Sequence, residues 1–247
     1  MRNYLTNNKG LSGNALKMIA IIAMTVDHIA WLLFPGFELG IVAIIMHVIG
    51  RITAPIMMFF IAEGYHYTHN RRKYFGRLLL FAVISYIPYS MFSSFDFISG
   101  IPTTSVMWPF ALGVLALMID QGDIVPKAKK WQRRLLIFAC LVIALPSDWS
   151  MAAVLAILFM GRHQGNFKRQ MLDLLQVLAV YGVICGFLFS FGYGLIHIGI
   201  IIPIFLLFFY NGTRGTTGGK AMKWLFYIYY PAHLLILGII KIYVLHV

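Results

Sequence analysis

Two adjacent ionisable residues, Asp27 and His28, lie in the middle of the first long apolar stretch of this 247-residue chain, between Met18 and Phe34. A charged side chain at the centre of a bilayer costs roughly 2.5–3.5 kcal/mol even on the most lenient insertion scale. Such residues therefore usually pair with another polar group or serve a function. Histidine has a pKa near neutrality and can accept, donate or relay a proton. We therefore predict that His28 is the central functional residue.

Further polar residues fall at helical spacing around this pair. Lys17 precedes His28 by eleven residues, or three helical turns, which places the two on one face about 16 Å apart. In the second apolar stretch His47 and Arg51 are spaced i and i+4, and Pro55 one turn later predicts a kink. These positions indicate polar faces on the first two helices.

Three more candidates lie further along the chain. Glu63 closes the second apolar stretch, and Tyr230 and His233 lie within about one turn of each other in the last one. Aromatic hydroxyl, imidazole and carboxylate groups are the usual partners of a proton-transferring histidine. We predict that the last stretch brings Tyr230 and His233 towards His28.

Each candidate also has a purely structural interpretation. Asp27 and Arg51 can form an ion pair between the first two helices, because charges inside a membrane usually face the bundle interior and find partners there. The isolated His197 is more typical of a hydrogen bond between helices. The histidines lack the spacing of a metal site, so we predict no metal.

The composition places these residues in a membrane. Apolar residues make up 60% of the chain and charged residues only 11%, and the mean hydropathy is +0.82, which excludes an ordinary soluble domain. The net charge of +12 comes from basic residues in short clusters between apolar stretches. The positive-inside rule explains that pattern, so we predict membrane lipids and no nucleic acid as partners.

The apolar stretches predict an all-α, polytopic membrane bundle that forms a single domain over residues 1–247. About nine spans are expected, within a range of eight to ten. The fifth and sixth are short and form a hairpin that turns at Pro146-Ser147-Asp148. The predicted spans are Asn14–Phe34, Leu39–Ala62, Phe75–Phe92, Thr104–Ile119, Leu135–Pro146, Ser150–Met160, Leu172–Phe191, Tyr193–Tyr210 and Trp224–Leu245.

Charge in the loops predicts the orientation. Basic clusters occupy alternate loops, and the loops between them carry acidic residues and no Lys or Arg. Since cytoplasmic loops retain positive charge, the N-terminus is expected in the cytoplasm and the C-terminus outside. The basic clusters are Arg2/Lys9/Lys17, Arg71–Arg77, Lys127–Arg134, Arg162–Arg169 and Arg214–Lys223, and the acidic loop residues are Glu38, Asp96 and Asp148.

Short motifs recur along nearly the whole chain. The early ones are Leu11–Lys17, Met24–Ile29, Arg51–Ile56, Ile61–Tyr65 and the series Thr68, Arg71, Tyr74 and Arg77. A further motif near the C-terminus spans Tyr230–Leu234. Together these motifs resemble the TraX-like family, which is named for the membrane acetylase of conjugative F-pilin. The specificity of the resemblance is highest in the first eighty residues.

The resemblance implies a transferase in the bacterial cytoplasmic (inner) membrane. The donor would be acetyl-CoA, bound as a co-substrate on the cytoplasmic side. The acceptor would be an amine or hydroxyl on a pilin-like peptide N-terminus, a glycan or a lipid headgroup. The spacing of Lys17 and His28 is also similar to that of a basic residue and a histidine in the wider transmembrane acyltransferases.

For acyl transfer we expect His28 to act as the base, oriented by Asp27 or Glu63. Arg51, Tyr230 or His233 would stabilise the oxyanion or the leaving thiolate, and His47 is a further catalytic candidate. Adjacent helical residues point about 100° apart, which argues against Asp27 as a direct partner. The phosphates of CoA are expected at Lys17, Arg71, Arg72, Lys73 and Arg77.

Two other classes of protein stay open at this point. A proton-coupled transporter or exporter would use Asp27, His28, His47, Arg51 and Glu63 as a relay. A membrane scaffold would use the same residues for stability alone.

Overall fold

The computed structural model describes residues 10–35, 40–93, 96–98, 101–215 and 219–245, and Arg2, Lys9 and Glu38 of the predicted loops lie outside them. The chain folds as the predicted helical bundle, with one short antiparallel hairpin. The elements are α1 Gly13–Leu33, α2 Ile41–Gly50, α3 Thr53–Tyr67, α4 Arg71–Phe92, β1 Asp96–Ile98, β2 Ile101–Pro102, α5 Met107–Gln121, α6 Lys130–Ile143, α7 Ser150–Arg162, α8 Phe167–Leu188, α9 Phe191–Ile196, a 3₁₀ turn His197–Ile200, α10 Ile201–Phe208, α11 Gly219–Ile240 and a π-helical turn Lys241–Leu245.

Local sequence sets several helix ends. The hydroxyl of Ser12 accepts a hydrogen bond from the backbone N–H of Ala15 at the start of α1 (3.2 Å). The side chain of Asn70 caps α4 in the same way, through the N–H of Lys73 (2.8 Å). Both caps satisfy donors that a helix leaves unpaired in its first turn. Helix α5 ends where Gly122 adopts the left-handed region, with φ of 79°.

The second predicted span is interrupted one turn before the predicted kink. Helix α2 ends at Gly50 and α3 begins at Thr53, so the break lies at Arg51 and Ile52. Pro55 falls in the first turn of α3, where its missing N–H would have had no partner in any case. The break leaves Arg51 at the junction of the two helices, inside the bundle.

Six helical segments of the described chain are long and apolar enough to cross a membrane: Gly13–Leu33, Ile41–Tyr67, Arg71–Phe92, Phe167–Leu188, Phe191–Phe208 and Trp224–Leu245. Helices α5, α6 and α7 are shorter, with 15, 14 and 13 residues. At 1.5 Å per residue they cover about 20–22 Å, less than the roughly 30 Å of a hydrocarbon core. The predicted short α6–α7 hairpin is therefore present, and α5 is also too short for the full crossing expected of it.

Helix α7 lies inside the bundle and packs against α3, α5 and α8. Gly113 and Gly161 allow α5 and α7 to approach closely, because a Cβ atom at either position would collide with Ile157 or Leu117. Helix α1 packs against α2, α3 and α11. Each face of α1 therefore meets a different neighbour, which decides where its polar side chains point.

Candidate functional site

His28 meets His233 across the contact between α1 and α11. The Nδ1 atom of His28 lies 2.7 Å from Nε2 of His233, and the two rings are stacked with their centroids 4.9 Å apart. A second bond between the helices joins the hydroxyls of Thr25 and Tyr229 at 2.6 Å. The predicted meeting of His233 with His28 is present in the structure.

The hydrogen bonds assign the tautomers of the two neutral imidazoles. Nδ1 of His233 lies 2.9 Å from the carbonyl oxygen of Tyr229, which can only accept, so Nδ1 carries the proton. Nε2 of His233 is then an acceptor, and His28 donates to it through Nδ1. This arrangement leaves the lone pair on Nε2 of His28 available as a base.

Asp27 points to a different helix. Its carboxylate accepts from Nδ1 of His47 (2.9 Å) and faces the guanidinium of Arg51 (3.6 Å). Gly50 allows α2 to approach this closely, since a Cβ atom there would collide with Asp27. The structural ion pair between the first two helices is therefore present. The alternative, in which Asp27 orients His28, is not supported, because the carboxylate is turned towards α2.

Arg51 extends this cluster to the eighth predicted span. Its guanidinium lies 3.4 Å from Nε2 of His197, whose Nδ1 donates to the carbonyl oxygen of Tyr193 (2.9 Å). The rings of Trp149 and Tyr193 flank the guanidinium at 5.4 and 5.9 Å. His197 is thus a hydrogen-bonding residue between helices, as predicted. We call Asp27, His47, Arg51 and His197 the ion-pair cluster.

Glu63 lies far from His28, so the prediction that it orients the base is wrong. The hydroxyl of Thr53 donates to the carbonyl oxygen of Ala20 (2.9 Å), which puts these two residues at one level of antiparallel helices α3 and α1. Glu63 follows by ten residues in one direction and His28 by eight in the other, a separation of about 27 Å along the bundle. The carboxylate of Glu63 accepts instead from the side chain of Gln164 (2.8 Å).

A small, partly open space, which we call the inner chamber, adjoins His28. Its volume is about 60 Å³, and its polar wall is formed by Asp27, His28, Arg51, Thr53, Asp148 and Tyr230. The hydroxyl of Tyr230 is buried beside Ser105 and makes no hydrogen bond of good geometry with any described residue. Much of the remaining wall is apolar, formed by Ala20, Ile21, Met24, Ala54, Met57, Val106, Met107, Phe110 and Phe226.

A larger space, the basic cavity, opens at the other end of α1. It has a volume of about 360 Å³ and is lined by the cationic side chains of Lys17, Arg77 and Arg214. The ammonium of Lys17 also lies 4.8 Å from the centre of the Phe60 ring. No acidic residue is among the described side chains that line it, which include Asn14, Tyr67, Thr68, Tyr74 and Tyr227.

The two spaces share one boundary. Met57, Met107, Phe110 and Phe226 line both the inner chamber and the basic cavity. We call these four residues the neck. The face of α1 that carries Lys17 and His28 therefore runs from the basic cavity to the chamber, as their spacing predicts.

Three of the five residues expected to bind phosphate lie outside the basic cavity. Arg71 forms an ion pair with Asp123 (2.7 Å) and lies over the ring of Tyr65, 4.4 Å from its centre. Arg72 and Lys73 are exposed and line neither space. The 100° turn per helical residue points Arg71 and Arg72 away from the face of Arg77, whereas Lys73 shares that face but lies one turn nearer the exposed start of α4.

Sequence reasoning missed Arg214 and Asp148 as site residues. Asn211–Gly219 looks like a flexible loop in the sequence, but residues 211–215 are tied to the start of α1, and residues 216–218 lie outside the described chain. The N–H groups of Gly13 and Asn14 donate to the carbonyl oxygens of Thr213 and Arg214 (2.8 and 3.0 Å). No spacing rule signals such a contact. The position of Asp148 at the turn of the short hairpin was the available signal for that residue.

Comparison with known proteins gives the chain a family. The family described as "TraX protein" matches residues 12–241. The chain is 32% identical to the probable fimbrial assembly protein FimC, serogroup H1, of Dichelobacter nodosus, over 97% of this chain and 99% of the relative. It is also 35% identical to an uncharacterized protein of Rickettsia prowazekii, over 32% of this chain and 28% of that protein. No solved structure matches the chain. With a match that covers nearly all of the bundle and both spaces along α1, the chain belongs to the TraX family.

Proposed function

We propose that this protein is a membrane acetyltransferase that takes the acetyl group of acetyl-CoA and passes it to an amine or hydroxyl acceptor. One observation carries the proposal: a base with a free lone pair, His28, faces a small chamber that adjoins a cavity lined by three cations. Acyl transfer from CoA needs a base beside the thioester carbon and, further along the donor, cations that bind its phosphates.

The basic cavity supplies the donor site. Lys17, Arg77 and Arg214 present three cations with no acidic residue among the described lining, which suits the phosphates of CoA. Lys17 and His28 are about 16 Å apart along α1. The extended arm that joins the phosphates of CoA to its sulfur can bridge this distance through the neck.

The inner chamber supplies the reaction site. Nε2 of His28 takes the proton from the acceptor amine or hydroxyl while the acceptor atom bonds to the carbonyl carbon. The carbonyl oxygen becomes an oxyanion, which the hydroxyl of Tyr230 and the guanidinium of Arg51 would stabilise. The C–S bond then breaks, and the departing thiolate takes the proton held by His28.

His233 holds the base in position in this scheme. Its Nε2 accepts from Nδ1 of His28 and so keeps the lone pair of His28 on Nε2. A neutral imidazole takes the part that a carboxylate has in soluble triads. Before the reaction the pair carries no net charge at bilayer depth, where an ion would be costly.

The relatives suggest where the acceptor comes from. The TraX match and the similarity to a probable fimbrial assembly protein favour a pilus subunit or another component of a fimbrial system as the acceptor. The bacterial cytoplasmic membrane, with acetyl-CoA on its inner side, is the corresponding location.

The transporter hypothesis fits less well. A proton relay from Asp27 to Glu63 would have to cover about 26 Å, and the carboxylates of the two residues bond to different partners, His47 and Gln164. Purified protein in nanodiscs separates the two functions. We expect it to release CoA from radiolabelled acetyl-CoA and to label one of three probes: a short peptide with a free amino terminus, a monosaccharide or phosphatidylethanolamine. Unchanged thioester with all three would contradict the proposal.

A further inference from the structure

We propose that Met24 sets the length of the acyl group that this protein transfers, by closing the inner chamber beside His28. The inference rests on the proposed function and adds its donor specificity: acyl groups longer than acetyl are excluded by the chamber wall. Met24 lies one turn before His28 on the same face of α1, is 9% exposed and lines the chamber.

The volume of the chamber is the first argument. An apolar cavity of about 150 Å³ holds benzene, or roughly 25 Å³ for each heavy atom. On that scale the 60 Å³ beside His28 holds between two and three heavy atoms. Acetyl has three heavy atoms, close to this limit, whereas butanoyl has five, about twice the limit, and would displace the wall.

The second argument concerns which wall can set the limit. The neck residues also line the basic cavity, and in the proposed function the donor arm passes between them. Gly50, Ala20 and Ala54 have few or no side-chain atoms to remove. Among the larger apolar side chains confined to the chamber, Met24 is the one spaced i−4 from the base, directly beside it on α1.

The third argument is the size of methionine itself. Its side chain has three heavy atoms more than that of alanine, so Met24→Ala opens roughly 75 Å³ and about doubles the chamber. Met24→Val removes one heavy atom and opens roughly 25 Å³. The two variants therefore predict a graded response, with propionyl admitted by the first opening and butanoyl only by the larger one.

The test measures acyl transfer by the full chain in nanodiscs from acetyl-, propionyl- and butanoyl-CoA. For the wild type we expect the rate to fall about tenfold or more with each added methylene, as for overfilled apolar pockets. Met24→Val should bring the propionyl rate close to the acetyl rate, and Met24→Ala should do the same for butanoyl. Met58→Ala is the matched control, because Met58 is fully buried and lines neither space.

The outcomes separate this inference from the proposed function. A wild type that transfers acetyl and butanoyl equally well overturns the length limit but leaves acyl transfer intact. Folded Met24 variants that keep the wild-type ratio of rates, or a Met58→Ala variant that shifts it as much, overturn the assignment to Met24. A wild type that transfers no acyl group from any of the three donors contradicts the proposed function itself.

Discussion

Asp27 and His28 are neighbours in sequence but belong to two different regions of the molecule. Asp27 borders the inner chamber, but its two carboxylate oxygens face His47 and Arg51 of the ion-pair cluster. His28 faces α11 and the inner chamber, and among the described residues its hydrogen bond is to His233, through Nδ1, which leaves the lone pair on Nε2. The comparison shows that one polar residue at bilayer depth can stabilise the packing of the helices while the residue beside it is available to react.

Loss of Asp27 should therefore act mainly on stability and loss of the partner of His28 mainly on rate, while Arg51 belongs to the ion-pair cluster and also lines the inner chamber. The largest expected effect on stability is that of Asp27→Ala. It leaves the buried guanidinium of Arg51 without its counter-ion, which costs about 3–5 kcal/mol. Chemical denaturation in detergent measures it. Asp120→Ala is the matched control, since it breaks a half-exposed pair with Arg162 that is worth about 0–1 kcal/mol. Equal losses in the two variants would contradict a structural role for Asp27.

His233→Ala tests the other region. Without its acceptor, His28 loses its fixed tautomer and orientation, and we expect acetyl transfer per folded molecule to fall by roughly 100-fold. His197→Ala is the comparison from the ion-pair cluster. Its main effect should be a lower thermal midpoint of unfolding, with a smaller effect on the rate of acetyl transfer, because His197 bonds to Arg51 in the ion-pair cluster. If His197→Ala lowered the rate of acetyl transfer more than His233→Ala did, the assignment of the two regions would be reversed.

The sequence predicted the residues of both regions more fully than their pairing. Helical spacing brought out His47, Arg51 and His233, and the 100° argument anticipated that Asp27 would not serve His28. The bond between His28 and His233 joins residues 205 positions apart. Spacing within one helix carries no information about such a contact, which depends on how α1 and α11 pack.

The donor side shows the same limit. Lys17 and Arg77 were predicted and line the basic cavity. Arg71 was also predicted, but it forms an ion pair with Asp123 instead. That contact depends on the end of α5 and the following loop. The nine apolar stretches correspond to helices, whereas α5 and the α6–α7 hairpin are too short for length alone to settle how they sit in a membrane.

The cations of the basic cavity should affect donor binding and little else. Arg77→Gln removes one charge-assisted phosphate contact, worth about 1.5–3 kcal/mol, so the KM for acetyl-CoA should rise by roughly 10- to 100-fold. Arg72→Gln, on the exposed side of the same helix, should leave KM unchanged. If both variants bind acetyl-CoA as the wild type does, the basic cavity is not the donor site.

A smaller effect is expected at the contact that holds Arg214. Gly215 has φ of 91°, and a Cβ atom there would lie 2.7 Å from the hydroxyl of Ser12. Gly215→Ala should therefore cost about 1–2 kcal/mol and raise the KM for acetyl-CoA a few-fold, as Arg214 shifts. Gly40→Ala is the control, because nothing lies within 4 Å of a Cβ atom at that position. Unaltered stability and KM in Gly215→Ala would show that this contact does not hold Arg214 in place.

Acetyl transfer by His28→Ala, measured per folded molecule in nanodiscs, tests the central claim most directly. The account predicts a loss of roughly 10²- to 10⁴-fold, with the size-exclusion profile and acetyl-CoA binding retained, since His28 lines the inner chamber and not the basic cavity. His69→Ala, at an exposed histidine outside both spaces, should match the wild type. Transfer by His28→Ala at the rate of the His69→Ala control would contradict the claim that His28 is the base.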